Sequence, residues 1–226
     1  MTRARRDDPP GEATATSPGP SRARVSLATQ VVTDRLVLRA FRTEDVRVLR
    51  AFAVDNADYL RPWSPRPQPG ASPTSLVDLA KKIAAARKDW RADQGYQFAG
   101  FDRRPAAAGR KGPPLVARVS LNNVVRGVFQ NAYLGYMIAE SHQGLGLARE
   151  AVRAVIDFAF HTAQLHRVQA AIMPHNERSL RLVRALGFRE EGRAQGYLMI
   201  DGAWRDHLVF AVTREDWSSR KLRTEG

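Results

Sequence analysis

The chain has 226 residues, no cysteine, and 36 Lys and Arg against 23 Asp and Glu, which gives a formal net charge of +13. A chain of this length can bury the core of one α/β domain and still carry a tail. Without cysteine, disulfides, thiolate nucleophiles and zinc–thiolate sites are excluded. No apolar run reaches the roughly 18 residues that suggest a membrane span.

The positive charge has two interpretations, which both stay open. It reflects either an Arg-rich solvated surface or an acidic partner such as a phosphate-rich cofactor, a nucleic acid or an acidic protein. Direct nucleic-acid binding is not expected, because no RNA-binding motif or basic–aromatic stripe is present. Arg3, Arg5 and Arg6 precede no apolar segment, so we expect no secretory signal, no membrane partner and a cytoplasmic location.

Composition divides the chain into three parts. Residues 1–27 combine Pro, Gly, Ala, Ser and Arg with almost nothing to bury, which predicts a disordered tail. Residues 28–218 are expected to form one domain, and residues 219–226 a short C-terminal tail.

The first half alternates strand and helix patterns. The predicted elements are a strand at 31–39, a helix at 44–54 capped by Thr43, a Pro-rich loop at 63–67, a helix after Thr74, and strands at 96–101 and 115–125 around a Gly/Pro/Ala loop at 103–114.

The second half is more regular. The predicted elements are a strand at 133–139, an amphipathic helix at 146–162, a strand at 166–173, a helix at 176–186 ended by Gly187, and an antiparallel pair at 188–200 and 204–212 turned at Asp201-Gly202. The order β-α-α-β-β-β-α-β-α-β-β predicts an α/β (α+β) fold, a mixed sheet with helices on both faces.

The turn between the strand at 133–139 and the next helix has the chemistry of an anion site. A helix N-terminus exposes unpaired N–H groups and carries partial positive charge. Gly144 and Gly146 let the backbone approach a bulky anion, and Arg149 adds a side-chain charge. A pyrophosphate would fit there, although a glycine pair is equally compatible with a plain tight turn. The spacing matches neither the dinucleotide-binding fingerprint nor a P-loop.

Three spaced motifs carry a family resemblance. Gln143-x-x-Gly146-x-Ala148 resembles the Gln/Arg-x-x-Gly-x-Gly/Ala signature of the GNAT acetyltransferase superfamily. Asn176-x-x-Ser179 with Leu186-Gly187-Phe188 resembles that superfamily's next motif. The segments at 33–39 and 202–206 are similar to the branch that contains the Rim-type ribosomal-protein-alanine N-acetyltransferases. The resemblance extends over about residues 31–217.

The resemblance implies a fold and a cofactor site. The sheet would be mixed, mostly antiparallel and twisted, with a splayed central pair of strands at 133–139 and 166–173. Acetyl-CoA would lie in the gap as cosubstrate, with no metal, and an N–H near Ile138 would polarise the thioester carbonyl. The implied cofactor-binding residues are Met137, Ile138, Ala139, Gln143, Gly144, Leu145, Gly146, Leu147, Ala148, Arg149, Asn176 and Ser179. Asn176 is equally suited to cap the following helix.

The implied reaction is direct attack of an amine on the thioester, which needs a base and an acid. The family's usual acid is a Tyr where this chain has Val183, so the resemblance suggests Ser179 as its substitute and Tyr197 as a second candidate. Glu140 is the candidate base, with a turn partner as its structural alternative. His142 and His175 flank the cleft in sequence but are interpreted as loop residues.

The acceptor is less defined. Asp206 is a candidate anchor for the substrate ammonium or a structural partner. Asn122 is a candidate for binding a peptide backbone, and a β-bulge at Asn122-Asn123 is the alternative. We expect acetylation of a protein N-terminal amine, such as that of a ribosomal protein. Alternatives are a small amine (antibiotic, polyamine or amino acid) or a catalytically silent acyl-CoA-binding protein. A homodimer is left open.

Overall fold

The computed structural model describes residues 24–104 and 112–218. The predicted tails therefore fall largely outside the described residues, as does most of the loop at 103–114. Val25 and Leu27 pack against the core, and the indole N–H of Trp90 donates to the Val25 carbonyl at 3.2 Å. The domain boundary at residue 28 stays a prediction. Val25 and Leu27 precede that boundary, and both already contact the core.

Eight strands form one sheet in the order β1-β2-β3-β4-β5-β6-β8-β7. Their bounds are β1 Gln30–Val32, β2 Leu36–Ala40, β3 Tyr96–Asp102, β4 Leu115–Val125, β5 Asn131–Ile138, β6 Arg167–Ile172, β7 Arg189–Ile200 and β8 Ala203–Thr213. All neighbouring pairs are antiparallel except β5 and β6, which are parallel. The predicted mixed, mostly antiparallel sheet is confirmed.

Helices cover both faces of the sheet, as predicted. They are α1 Val46–Asp55, α2 Ala57–Leu60, α3 Leu76–Arg91, α4 Leu147–Asp157 and α5 Glu177–Ala185. Short 3-10 turns lie at Thr43–Asp45, Arg61–Trp63 and Glu140–His142, and a π-helical turn at Phe158–Thr162 extends α4. No helix of the described segments is long and apolar enough to cross a membrane.

Alternation along the strands sends side chains into two cores. In β3, Phe98 joins the core that contains Val152 and Val155 of α4, whereas the next residue, Ala99, joins the core built with Phe52 of α1 and Ile83 of α3. Successive side chains of a strand point to opposite faces, so α4 lies on one face and α1 and α3 lie on the other. Burial of these apolar side chains holds the sheet rigid beneath the site.

The single strand predicted at 31–39 is wrong. The segment is a hairpin in which Val31 of β1 pairs with Leu38 of β2. The turn forms because the Thr33 amide donates to the Leu36 carbonyl at 2.9 Å and the Thr33 hydroxyl donates to the Glu150 carboxylate at 2.6 Å. The second contact comes from a residue far away in the sequence, which local alternation cannot reveal.

The start of the first helix also differs from the prediction. Thr43 begins a 3-10 turn rather than capping the helix, and the carboxylate of Asp45 accepts from the Arg42 amide at 2.7 Å. The later turn predictions are confirmed: Gly187 has φ 85°, and Asp201 and Gly202 have φ 46° and 76°. Two successive positive φ values are what a two-residue type I′ hairpin requires.

Candidate active site

A gap opens in the middle of the sheet between β5 and β6. The two strands pair only from Asn131–Arg167 to Tyr133–Gln169, although β5 continues to Ile138 and β6 to Ile172. The predicted splay of this central pair is confirmed. Five residues of β5 therefore lack a strand neighbour on the β6 side.

The register decides which backbone groups of β5 face the gap. The Ala139 amide donates to the Val116 carbonyl of β4 at 2.9 Å. In an antiparallel ladder the residues that bond to one neighbour alternate along the strand. The backbone groups of Tyr136 and Ile138 therefore point away from β4 and into the gap. Those of Met137 and Ala139 point toward β4, so the register favours Tyr136 and Ile138 for pairing with a ligand.

A cavity of about 410 Å³ follows the gap and runs to the start of α4. Residues of β5, α4, α5 and the segment around α2 line it, among them Tyr59, Trp63, Ile138, Ala148, Asn176 and Ser179. The cavity brings together candidate cofactor-binding residues of β5, of the Gln143–Ala148 turn and of the Asn176–Ser179 motif.

The turn before α4 is open to an anion. Gly144 and Gly146 have φ 73° and 75°, a region that glycine adopts without strain. Gly146 is the N-cap of α4, and no side chain caps it. Over the described parts of the chain, the amides of residues 147–149 have no protein acceptor. Three unpaired N–H groups at a helix N-terminus form an anion site.

Both ends of this turn are tied to neighbouring elements. The Gln143 side chain donates from Nε2 to the Ile138 carbonyl at 3.0 Å, which closes the turn back onto β5. The Arg35 side chain donates to the Leu145 carbonyl at 2.7 Å. The turn is therefore held in place before any ligand binds.

Glu150 in the first turn of α4 anchors that second tie. Its carboxylate accepts from the Thr33 hydroxyl, from the Arg35 amide at 2.9 Å and from Arg35 Nε at 2.7 Å. Burial would raise the pKa of Glu150, but the hydrogen bonds from Thr33 and Arg35 prevail and lower it. Glu150 is thus ionised and fixes the Thr33–Arg35 turn against the cofactor side of the fold.

Asn176 and Ser179 meet at the start of α5. The Asn176 side-chain oxygen accepts from the Ser179 amide at 3.2 Å, so the capping interpretation of Asn176 is confirmed. The Ser179 carbonyl lies 3.5 Å from the Tyr136 hydroxyl, and burial raises the pKa of Tyr136 to about 12. Val183, where the family carries its usual acid, is fully buried in the core.

Glu140 and His142 lie away from this cavity. Glu140 is exposed, and its amide donates to the Asn56 side-chain oxygen at 2.6 Å. Both residues line a different cavity, beside α1. His142 lies 3.8 Å from the Asp102 carboxylate. Glu140 does not line the cavity at the gap, so its role as base stays a prediction.

A cluster of aromatic and His rings includes one residue that the sequence did not single out. Tyr197 stands edge-on to the His207 ring at 5.7 Å, and burial together with the neighbouring Tyr133 raises the pKa of Tyr197. His207 is buried, and the Arg205 carbonyl lies 3.0 Å from its Nδ1. Burial lowers the pKa of His207, and the nearby His175 lowers it further. A carbonyl only accepts, so Nδ1 carries the proton and Nε2 is a free base. No sequence pattern around His207 signals its burial.

The two candidate substrate residues have partners within the fold. The Asp206 carboxylate accepts from the Gly196 amide at 2.8 Å and pairs with Arg193 at 2.8 Å, which fits the structural interpretation. The Asn122 side-chain amide donates from Nδ2 to the Ser120 hydroxyl at 2.9 Å. The register shifts after Asn122, and Asn123 has φ 50°, so the predicted β-bulge is confirmed.

The rim of the cleft is bridged rather than open. The Asp201 amide of the β7–β8 turn donates to the Ser64 carbonyl at 3.0 Å, and the Arg66 side chain pairs with the Asp201 carboxylate at 3.1 Å. On the α5 side, the Trp63 ring packs against His175 at 5.4 Å. The segment after α2 therefore joins the hairpin to the start of α5 above the gap.

Comparison with known proteins agrees with this geometry. The family model described as an acetyltransferase (GNAT) domain matches residues 35–189. The chain is 37% identical over 190 residues to the [Ribosomal protein uS5]-alanine N-acetyltransferase of Escherichia coli (strain K12), covering 84% of this chain and 93% of the relative.

Two solved structures extend the likeness to three dimensions. The ribosomal-protein-S5-alanine acetyltransferase from Vibrio fischeri superposes with a TM-score of 0.75 at 27% identity, covering 84% of this chain and 98% of that one. Mycobacterium smegmatis RimJ in complex with CoA-disulfide superposes with a TM-score of 0.70 at 28% identity, covering 84% and 89%. With the splayed strands and the open turn, these matches show that the chain belongs to the GNAT acetyltransferase family and is an N-acetyltransferase.

Proposed function

We propose that this enzyme transfers an acetyl group from acetyl-CoA to the N-terminal amine of a protein, with a ribosomal protein as the substrate class. The observation that carries the proposal is the unpaired backbone of β5 beside the unpaired amides of α4, since together they fit an extended ligand that ends in phosphates. The 37% identity to an N-terminal alanine acetyltransferase over 93% of that relative supports the choice of acceptor.

The residues present fit acetyl-CoA, which supplies an activated thioester when bound. The amides of Leu147, Ala148 and Arg149 would hold the pyrophosphate, with Gly144 and Gly146 allowing its close approach. These residues, with Gln143 and Leu145, form a preorganised turn, so little reorganisation energy is needed on binding.

Backbone groups in the gap would hold the pantetheine arm. The backbone of Tyr136 and the Ile138 amide would pair with this arm in the manner of an added strand, whereas the Ile138 carbonyl already accepts from Gln143. The Ile138 amide would donate to the thioester carbonyl and stabilise developing negative charge there. Asn176 has its side-chain oxygen committed to the cap, so its Nδ2–H₂ remains to donate to the cofactor.

Two groups would manage protons. Ser179 lines the cavity beside the Tyr136 side chain, so its hydroxyl would deliver a proton toward the leaving sulfur. His207 carries a free Nε2 in a buried site next to Tyr197, so this pair would draw the proton from the acceptor ammonium. Tyr197, which the sequence offered as a second candidate acid, would instead be a positioning residue for the base.

A peptide panel tests the proposed acceptor. Peptides that differ in their first residue, and a set of small amines including a polyamine and free alanine, are incubated with enzyme and acetyl-CoA while thiol release is followed. We expect turnover with peptides, with the acetyl group on the α-amine by mass spectrometry. An α-N-blocked peptide with an internal Lys is the control and should not react. Faster turnover of the small amines would overturn the proposal.

A further inference from the structure

Arg118 occupies an unusual place in the middle of the sheet. It lies on β4, directly opposite Met137 of β5 and opposite Ala99 of β3. Met137 precedes Ile138, whose amide faces the gap. Arg118 therefore lies on the strand next to the one that would hold the thioester. Paired Cα atoms of these two strands are about 5.5 Å apart.

The charge of Arg118 has no counter-charge within the described residues. Its Nε is shielded from solvent and has no hydrogen-bond partner there. Burial lowers the pKa of Arg118, and an arginine guanidinium keeps its proton in proteins. Arg118 is half-buried, so its guanidinium loses part of its hydration without gaining a carboxylate in the described residues, which costs stability.

Two other half-buried arginines of the fold are paired with carboxylates. Arg39 binds both carboxylate oxygens of Asp45, at 2.6 and 2.9 Å. Arg126 binds both oxygens of Asp93, at 2.5 and 2.7 Å. Arg118 instead lies over the Phe41 ring at 5.9 Å. A ring face contacts the flat side of a guanidinium and leaves the N–H donors in its plane free.

The donors of Arg118 border a second cavity. This cavity has a volume of about 260 Å³ and is lined by the neutral polar side chains of Gln97, Ser120 and Asn122, with no acidic residue. It meets the cofactor cavity at Tyr136 and Met137, which line both. We call it the acceptor groove, because it is the space next to the gap on the side away from the anion turn.

We propose that Arg118 is a specificity residue that binds a carboxylate of the acceptor close to the reacting amine. The inference rests on the proposed function. A carboxylate would form paired charge-assisted hydrogen bonds with the guanidinium. An acidic side chain at the second or third residue of a peptide lies within reach, at about 3.5 Å of chain per residue. A polyamine or a Lys-rich N-terminus would instead bring a second cation beside Arg118.

Matched peptides test the inference in the intact enzyme. Peptides with Glu, Gln or Lys at position 2, and again at position 3, share all other residues. The wild-type enzyme should favour Glu over Gln in kcat/KM by roughly tenfold or more, with Lys worst. In Arg118→Met the Glu-to-Gln ratio should fall to about one, whereas Arg118→Lys should keep part of it. Arg91→Met, an exposed arginine at the end of α3, is the matched control and should keep the full ratio.

Two further measurements separate the sources of the carboxylate and the causes of failure. Free alanine against alanine amide reports an α-carboxylate as the bound group, and a preference confined to this pair would overturn the peptide assignment. Calorimetric binding of the Glu and Gln peptides to the CoA-loaded enzyme reports the contact without turnover. Failure of all peptides to react, with the Glu preference in binding intact, would overturn only the proposed function.

Equal use of Glu and Gln by the wild type would overturn the inference, as would a preference that survives Arg118→Met. Folding is checked by thermal unfolding, in which Arg118→Met should match or exceed the wild-type midpoint, because a half-buried charge without a carboxylate partner has been removed. Should Arg118→Met fail to fold, the wild-type and Arg118→Lys ratios still decide.

Discussion

The Arg35 guanidinium donates to the Leu145 carbonyl at 2.7 Å, which ties the turn after β1 to the turn before α4. The contact holds a carbonyl away from the anion site while the amides that follow stay open. Arg35 itself is held by Glu150. At the proposed cofactor site, the N-terminal hairpin would therefore help to hold the anion-binding turn in shape without lining it.

Glu150→Gln should weaken acetyl-CoA binding by about three- to tenfold, since it removes the charge that orients Arg35. Calorimetry measures the affinity. Glu44→Gln, at an exposed carboxylate in the Thr43–Asp45 turn, is the matched control and should bind as the wild type does. Identical affinities for Glu150→Gln and wild type would show that the turn keeps its shape without this tie.

Gly146→Glu should abolish acetyl-CoA binding because it places a negative side chain at the anion site. Gly146→Ala separates this effect from backbone strain. At φ 75° the alanine costs about 1–2 kcal/mol of stability, and its Cβ would lie 3.5 Å from Arg35. We expect the Ala variant to bind measurably and the Glu variant not at all. Unchanged cofactor affinity in Gly146→Glu would move the phosphate site elsewhere.

Ser179→Ala and Asn176→Ala should fail in different ways. Ser179→Ala should lower kcat about tenfold or more with little change in cofactor affinity, because a hydroxyl that delivers a proton acts after binding. Asn176→Ala loses the α5 cap and should reduce the free energy of unfolding by about 1 kcal/mol. Rapid kinetics and chemical denaturation measure the two effects. A Ser179→Ala enzyme with the wild-type rate would remove that residue from the mechanism.

His207 should make the enzyme sensitive to mild acid. Burial lowers the pKa of His207 in the folded state below its ordinary value of 6.5. The unfolded chain therefore takes up the proton first, so His207's contribution to stability is complete above about pH 6.5 and is lost as the pH falls toward the folded pKa. In His207→Gln, the midpoint of thermal unfolding should change less between pH 7 and pH 5 than it does in the wild type. The same substitution should also remove the decrease of kcat/KM at acidic pH.

His166→Gln is the control for the pH experiment. His166 is exposed and pairs with Glu215 at the surface. That variant should keep the wild-type pH dependence of both stability and kcat/KM. An acid limb that persists in His207→Gln would assign the base to another group.

Local patterns predicted the parts of the site that depend on local geometry. The Gln143–Ala148 turn needs glycines directly before a helix, and the cap of α5 needs Asn176 three residues before Ser179. Both patterns are short enough to be predicted from the sequence. The family resemblance supplied the splay of β5 and β6, since strand patterns alone do not say where two strands part.

Contacts between residues that lie far apart in the sequence could not be predicted from local patterns. The hairpin at Thr33–Arg35 depends on Glu150, and the β-strand alternation around it is the same with or without a turn. The sequence alone suggests that the strand positions of His207 and Arg118 face solvent. Only the packing of other elements covers these two side chains. Glu140 shows the reverse case, because it is close in sequence to the Gln143–Ala148 turn but lines the cavity beside α1.

The short pairing of β5 with β6 leaves the sheet as two blocks, β1–β5 and β6–β8, joined along three residue pairs. A cofactor arm that bonds to Tyr136 and Ile138 would fill the missing length of this seam. Amide hydrogen exchange in β5 and β6 should then slow together on cofactor binding. The substrate would thus complete the sheet of the enzyme, and each release of CoA would open it again.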